Sequence, residues 1–316
     1  MAYTRGMSTQ PALNADQTLS DWLEYAAEQM QSANLFFGHG TDNAADEAFW
    51  LVSCALNYPF EAMRHRLDET LDPDQRQTLE ALLDERISSR QPLAYILGEA
   101  WFAGLKFGIS RDVLVPRSPL AELVLNGLHP WVDLGQPLRV LEVGTGCGCI
   151  ALALAHYWPE LRVDAVDTSE PALAVARTNA RKLGLHDRVR LIHSDVYAAI
   201  HGPYDLIISN PPYVPRPSMN QLPDEYRHEP ESALVAGQDG LDIVRRLVLE
   251  APNHLASDGW LLVEVGEAQP QAERWMAEVD PIWLEFEHGG DGVFLLSHSA
   301  CQALQLQSDV HEVMTP

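Results

Sequence analysis

Apolar positions recur at intervals of three and four between residues 18 and 90, and that period predicts helices. "TLSDWLEYAAEQM" opens on a Thr/Ser cap and sets Leu19, Trp22, Leu23 and Ala26 on one face. "TDNAADEAFWLVSCAL" repeats the spacing, with its acids early, where the helix dipole favours them. "DPDQRQTLEALLDERISSR" has Pro73 near its first turn and ends in arginines. The period then breaks. In "LGEAWFAGLKFGISRDVLVPRSP" aromatic, β-branched and glycine residues predict a β-hairpin turning at Ala103-Gly104.

From about residue 138 the chain alternates. The short apolar runs "LRVLEV", "RVDAVD", "RVRLIHSD" and "YDLIIS" predict strands, the first three followed by helix-like or turn-rich segments. That is the pattern of a parallel sheet with helices on its faces. After a long loop, "LDIVRRLVLEAPNHL" predicts a helix and "GWLLVEVG" a strand. "WLEFEHGGDGVFLLS" reads as two strands joined by a glycine-rich turn, and residues 300–316 as a weakly ordered tail. The resulting division is a helical N-terminal domain (15–93), a β-hairpin linker (94–112), an α/β domain (113–300) and a tail (301–316).

Composition adds limits. Two domains suit 316 residues, of which 46% are apolar and 21% charged. No run approaches the ~20 apolar residues that span a bilayer. The opening "MAYTRGMSTQPALNADQ" has no apolar core region, so no secretory signal is read there. Cys54, Cys147, Cys149 and Cys301 form no paired CxxC spacing. A reduced, cytoplasmic protein with no metal site is the simple expectation. The net charge of −24 argues against DNA, whose phosphates call for Lys and Arg. It suits a basic protein partner, or serves solubility alone.

The candidate chemistry begins in "VLEVGTGCGCIALALA". A strand runs into Gly144-Thr145-Gly146-Cys147-Gly148, and a helix follows. Glycines let a ligand touch backbone, and the free N–H groups of a helix start attract negative charge. The spacing is GxGxG, with Cys149 where a dinucleotide-binding loop has its third glycine. Glu142, just before the loop, can bind the ammonium of an amino acid. Asp167 closes the second strand, where an acid can accept hydrogen bonds from both hydroxyls of a ribose. The competing role, a helix N-cap, is better met by Thr168 or Ser169. The third strand also ends in an acid, Asp195.

These features resemble the class I S-adenosyl-L-methionine-dependent methyltransferases, a seven-stranded Rossmann-like α/β fold, over roughly residues 113–297. The resemblance implies that Gly144 to Gly148 hold the methionine end of the cofactor, Asp167 the ribose and Asp195 the adenine amino group. Val196 is then the apolar wall beside adenine, and Asn210 also belongs to the cofactor-binding set. "NPPY", Asn210 to Tyr213, belongs to families whose acceptor is an NH2 on a planar, electron-poor centre. The Asn210 oxygen and the Pro211 carbonyl can each take one N–H, turning the nitrogen lone pair toward the methyl group. Pro211 and Pro212 fix that backbone, and Tyr213 can pack on the planar group or sit near the sulfonium.

The flanks choose the acceptor. "QPLAYILGEAWFAGLKFGISRDVLVPRSPLAEL" followed by NPPY resembles the protein-(glutamine-N5) methyltransferases. "ANLFFGHGTDNAADEAFWLV", "LPDEYRHEPESALVAGQDGL" and "WLEFEHGGDGVF" match the branch acting on ribosomal protein uL3. The resemblance implies uL3 as partner, free or within a ribosome assembly intermediate, and the helical domain as substrate reader. Rival readings are the same chemistry on release factors, adenine methylation of nucleic acid, and a non-catalytic module that only binds the cofactor.

Several residues stay open. Cys147 and Cys149 are either sensitive thiols or small core residues. "EYRHEPE", in the loop from Val214 to Gly240, either touches substrate or is a solvated charge run. Arg117 either meets the cofactor carboxylate or forms a structural ion pair, and His39 reads as a turn or cap histidine.

Overall fold

The computed structural model describes residues 17–314. The opening stretch read as lacking a secretory signal falls almost wholly outside them, as do the last two residues of the expected tail. The chain divides into two compact units between Leu97 and Gly98.

The first unit is helical: α1 (Leu19–Ser32), α2 (Ala44–Ala55), α3 (Phe60–Met63), α4 (Pro73–Ser89) and α5 (Leu93–Leu97). Its long helices start where their caps stand. Thr18 Oγ1 accepts from the Asp21 N–H, whose carboxylate accepts in return from the Thr18 N–H. Asn43 caps α2, and Asp72 caps α4 with Pro73 as the first helical residue. Leu19, Trp22, Ala26 and Met30 form the buried face of α1. An ion pair lies in the core. Arg86 Nε donates to Glu47 Oε1 at 2.6 Å, with each side chain no more than 2% exposed. Thr41 donates to the other Glu47 oxygen, and Arg86 also donates to the Phe36 carbonyl. Two short helices, α3 and α5, escaped the sequence reading because neither is long enough to display a period.

The second unit opens with a hairpin, β1 (Glu99–Phe102) and β2 (Leu105–Gly108). Its turn is Ala103-Gly104, both at positive φ, as the two central residues of a tight hairpin require. The hairpin was expected to be a linker; it is instead tied into this unit. The Asn179 side chain exchanges hydrogen bonds with Gly108, accepting at 2.7 Å and donating at 3.0 Å, and the Tyr157 hydroxyl donates to the Ala103 carbonyl.

Beyond the hairpin come α6 (Leu120–Asn126), β3 (Arg139–Val143), α7 (Cys149–Tyr157), β4 (Arg162–Asp167) and α8 (Glu170–Lys182). Next are β5 (Val189–His193), β6 (Tyr204–Ser209), α9 (Asp242–Glu250), β7 (Leu255–Glu264) and α10 (Gln269–Trp275). The last elements are β8 (Ile282–Trp283), β9 (Val293–Ser297) and α11 (His298–Met314). The strands form one seven-stranded sheet in the order β5-β4-β3-β6-β7-β9-β8. The first five in that order are parallel, and β9 runs antiparallel to both its neighbours.

Two expectations need correction. The strand expected in "WLEFE" ends at Trp283, and only Ile282 and Trp283 pair with β9. The expected tail is the helix α11, whose Cys301 and Leu304 are buried in the same apolar cluster as Val244 and Leu247 of α9. Cys301 and Leu304 lie three residues apart on one face of the helix, and so narrow a stripe hardly shows in the sequence.

Candidate active site

Between β3 and β6 the strand order reverses, and ligands of open α/β sheets bind at such a point. Register places the site residues side by side. Val143 pairs with Val166 on one flank and with Ser209 on the other. Gly144, Asp167 and Asn210 each follow that row by one residue, so three adjacent strands deliver the glycine loop, an acid and the NPPY turn together. Asp195 comes two residues past His193, which pairs with Asp167.

The glycine loop is braced from behind. Gly144 N–H and Thr145 N–H both donate to the Val166 carbonyl at 2.9 Å, and the Ser209 hydroxyl donates to the Val143 carbonyl. Glu142, 1% exposed, accepts from the Thr145 hydroxyl at 2.6 Å and the Ala151 N–H at 2.9 Å through one oxygen. Burial pushes its carboxyl up to about 8, against the pull of those two hydrogen bonds. Asp167 accepts from Gly146 N–H at 2.9 Å and Ser169 N–H at 2.8 Å, one on each oxygen. Ser169 is the N-cap of α8, which leaves Asp167 at the mouth of the site.

A cavity of about 220 Å³ is lined by Glu142, Gly144, Thr145, Gly146 and Cys147, and by Asp167, Asp195, Val196, Asn210, Pro211 and Pro212. Gly148, expected in the cofactor set, does not line it. Its role is packing: φ is +84°, and a Cβ there would sit 3.2 Å from the Ala176 Cβ of α8. Asp195 is exposed and pairs through one oxygen with Arg246 Nη1 at 2.8 Å. Val196 is buried with φ +48°, an unusual backbone for a β-branched residue, fixed by the Ser194 hydroxyl donating to its carbonyl. The Cys149 thiol also lines the cavity; a hydrogen bond with Cys147, then burial, holds its pKa well above the ordinary value. A thiol so held is a poor nucleophile.

Asn210 and Pro211 also line a second, adjoining cavity of about 390 Å³. Tyr213 lines this second cavity and not the first. Its hydroxyl donates to Glu264 Oε1 at 3.3 Å. Gly240 and Gly266 give that ring and backbone room: a Cβ at Gly240 would meet the Tyr213 carbonyl oxygen at 2.2 Å, and one at Gly266 the ring at 2.8 Å.

The segment Val214 to Gly240 folds over this region in short 3-10 turns. "EYRHEPE" is no solvated charge run, since Glu225 and Glu229 are both buried. Glu229 receives both Nη groups of Arg117 and also the Val115 N–H at 3.1 Å. Arg117 therefore forms the structural ion pair, with its guanidinium also over the Tyr226 ring at 5.2 Å. His39 lies buried in the connection before α2, edge-on to Phe36, and Asn43 provides the cap. Among the described residues, no group of three or more His, Cys, Asp or Glu is placed to hold a metal ion, and no helix is long and apolar enough to cross a membrane.

Sequence reasoning missed Asn179, Glu264, Gly240 and Gly266. Asn179 donates to the Cys147 carbonyl at 2.9 Å as well as binding Gly108, and so joins the glycine loop to the hairpin. Its signal was an amide on the otherwise apolar face of an amphipathic helix, which marks a buried polar group in need of partners.

A seven-stranded sheet of this topology, with a glycine loop at its switch point and acids on the next two strand ends, defines a class I S-adenosyl-L-methionine-dependent methyltransferase. Family models agree: residues 123–221 match the methyltransferase small domain and residues 21–98 the PrmC N-terminal domain. The chain is 43% identical to the ribosomal protein uL3 glutamine methyltransferase of Bordetella pertussis, over 89% of this chain and 95% of that one. It is 40% identical to that of Francisella tularensis, over 92% and 93%, and 42% identical to that of Xanthomonas campestris, over 92% and 97%. The chain belongs to the ribosomal protein uL3 glutamine methyltransferase family.

Proposed function

We propose that the protein transfers the methyl group of S-adenosyl-L-methionine to the side-chain amide nitrogen of a glutamine in ribosomal protein uL3. Relatives at 40–43% identity over nearly the whole chain carry the substrate assignment. For the chemistry, the supporting observation is that Asn210 and Pro211 line both of two adjoining cavities.

The residues present fit the cofactor. Glu142 suits an ammonium, Asp167 a pair of ribose hydroxyls through its free lone pairs, and Val196 an apolar ring. Asp195 keeps one oxygen clear of Arg246 for an adenine amino group. Bound there, S-adenosyl-L-methionine supplies an electrophilic methyl on a sulfonium. The second cavity then holds the acceptor. An amide nitrogen is a weak nucleophile because its lone pair is delocalised into the carbonyl. Asn210 Oδ1 and the Pro211 carbonyl each accept one of its N–H groups, which orients the lone pair and stabilises positive charge as it develops. Tyr213 lies against the planar amide. An N-methylated amide cation is acidic enough to lose its proton without a dedicated strong base.

The acidic chain, at −24, steers a basic ribosomal protein toward the site. The helical first unit reads the substrate, which is met in the cytoplasm, either free or in a ribosome assembly intermediate. Mass spectrometry of purified uL3 after incubation with enzyme and cofactor tests the reading. One added methyl on a glutamine side chain is expected; unmodified uL3 alongside a methylated release factor would overturn the substrate.

A further inference from the structure

Glu264 closes β7 and has no assigned role. It is 3% exposed, yet no Lys, Arg or His among the described residues forms an ion pair with it. Its hydrogen-bond donors are neutral instead. The Ser118 hydroxyl donates to Oε2 at 2.5 Å and the Tyr213 hydroxyl to Oε1 at 3.3 Å, and Asn210 lines the same cavity wall, near enough to favour the ionised carboxylate. Glu264, Tyr213 and Asn210 all line the cavity given above to the acceptor.

An ionised carboxylate only accepts hydrogen bonds, so the edge of Asn210 that faces it is the NH2 edge. The amide has two flips of similar shape, and they are chemically opposite. With Oδ1 turned from Glu264, Asn210 accepts from a substrate N–H. With the amide reversed, its NH2 meets the substrate NH2, donor against donor. We infer that Glu264 is a positioning residue for methyl transfer, holding the Asn210 amide in the flip that presents its oxygen to the acceptor nitrogen. This rests on the role proposed above for Asn210.

Protonation would undo the hold, because a neutral carboxyl becomes a donor itself. Burial pushes Glu264 up to about 7, while Ser118, Tyr213, Arg117 and Asn210 pull it back. The charged and titratable groups facing it are Arg117, from the segment before α6, and Tyr213, from the NPPY turn. Turnover should therefore decline as pH falls through about 7.

The test is a double-mutant cycle of Glu264→Gln and Asn210→Asp, read by single-turnover methyl transfer to uL3, with cofactor affinity measured by calorimetry on each protein. Glu264→Gln should slow transfer by about 10–100-fold, by analogy with removing the hydrogen-bond partner that orients a metal ligand. Cofactor affinity should hold, and the pH dependence near neutrality should vanish. Asn210→Asp sets two carboxylates side by side and should be severely impaired. Adding Glu264→Gln to it supplies an amide donor for the new carboxylate and should restore transfer by at least about tenfold. A purely structural Glu264 predicts losses that multiply and a pH limb that stays. Either multiplicative losses or a Glu264→Gln enzyme with wild-type rate and pH profile would overturn the inference. A wild-type enzyme that binds cofactor but leaves uL3 unmodified would overturn the reading beneath it, and the inference with it.

Discussion

Asp167 and Glu142 do different work although both are acids at strand ends. Asp167 holds two backbone N–H groups, so its carboxylate is fixed before any ligand arrives. Asp167→Ala should weaken cofactor binding by about 1.5–3 kcal/mol, the cost of losing hydrogen bonds to a charged group. Unchanged affinity in calorimetry would remove the ribose assignment. Glu142 is neutral through much of the physiological range, because burial raises its carboxyl to about 8 from an ordinary 4.5. Its folded form binds a proton more tightly than its unfolded form. The stability this contributes is complete below about 4.5 and is lost as pH rises through about 8. An ammonium beside it favours the carboxylate, so saturating cofactor should flatten that loss. Thermal melts across this range, with and without cofactor, check the point, and identical slopes would contradict it. At this scale the sequence showed the residues whose place on a strand end is local information. Glu264 and Asn179 stayed hidden, since their partners lie 51 and 71 residues away in sequence.

Among the elements, the NPPY turn depends on glycines that lie outside it. Gly266 has φ +44°, where an L side chain costs about 1–2 kcal/mol, and its Cβ would press on the Tyr213 ring at 2.8 Å. Gly266→Ala should lower the melting temperature and slow methyl transfer, with the cofactor cavity still competent to bind. In the first unit the element-level anchor is the Glu47–Arg86 pair. Glu47→Ala leaves a buried guanidinium without its counter-ion, and about 3–5 kcal/mol of stability should go with it, visible in denaturant unfolding. Strand periods, helix caps and the Ala103-Gly104 turn were all legible in the sequence because each is set within a few residues. Helix α11 was not, since its described buried positions, Cys301 and Leu304, make only a narrow stripe. The 3-10 turns between Val214 and Gly240 were read only as a loop, because Glu229 becomes an anchor only through Arg117, 112 residues earlier.

Across the whole molecule, the net charge is strongly negative. A net charge of −24 against a basic ribosomal protein implies steered encounter, screened beyond ~8–10 Å at physiological ionic strength. The association rate with uL3 should fall as salt rises, and a salt-independent rate would leave the acidity as a solubility device. Composition made that charge plain from the start, whereas the pairing of two cavities across one asparagine needed the folded sheet. The central claim is that Asn210, which lines both cavities, acts mainly on the acceptor amide of uL3 rather than on the cofactor. Its most direct test is single-turnover methyl transfer to uL3 by Asn210→Ala, measured beside cofactor affinity. Transfer slower by about 10²–10³-fold is expected, comparable to a lost oxyanion-hole donor, with cofactor affinity little changed. Near-normal transfer by Asn210→Ala would contradict it.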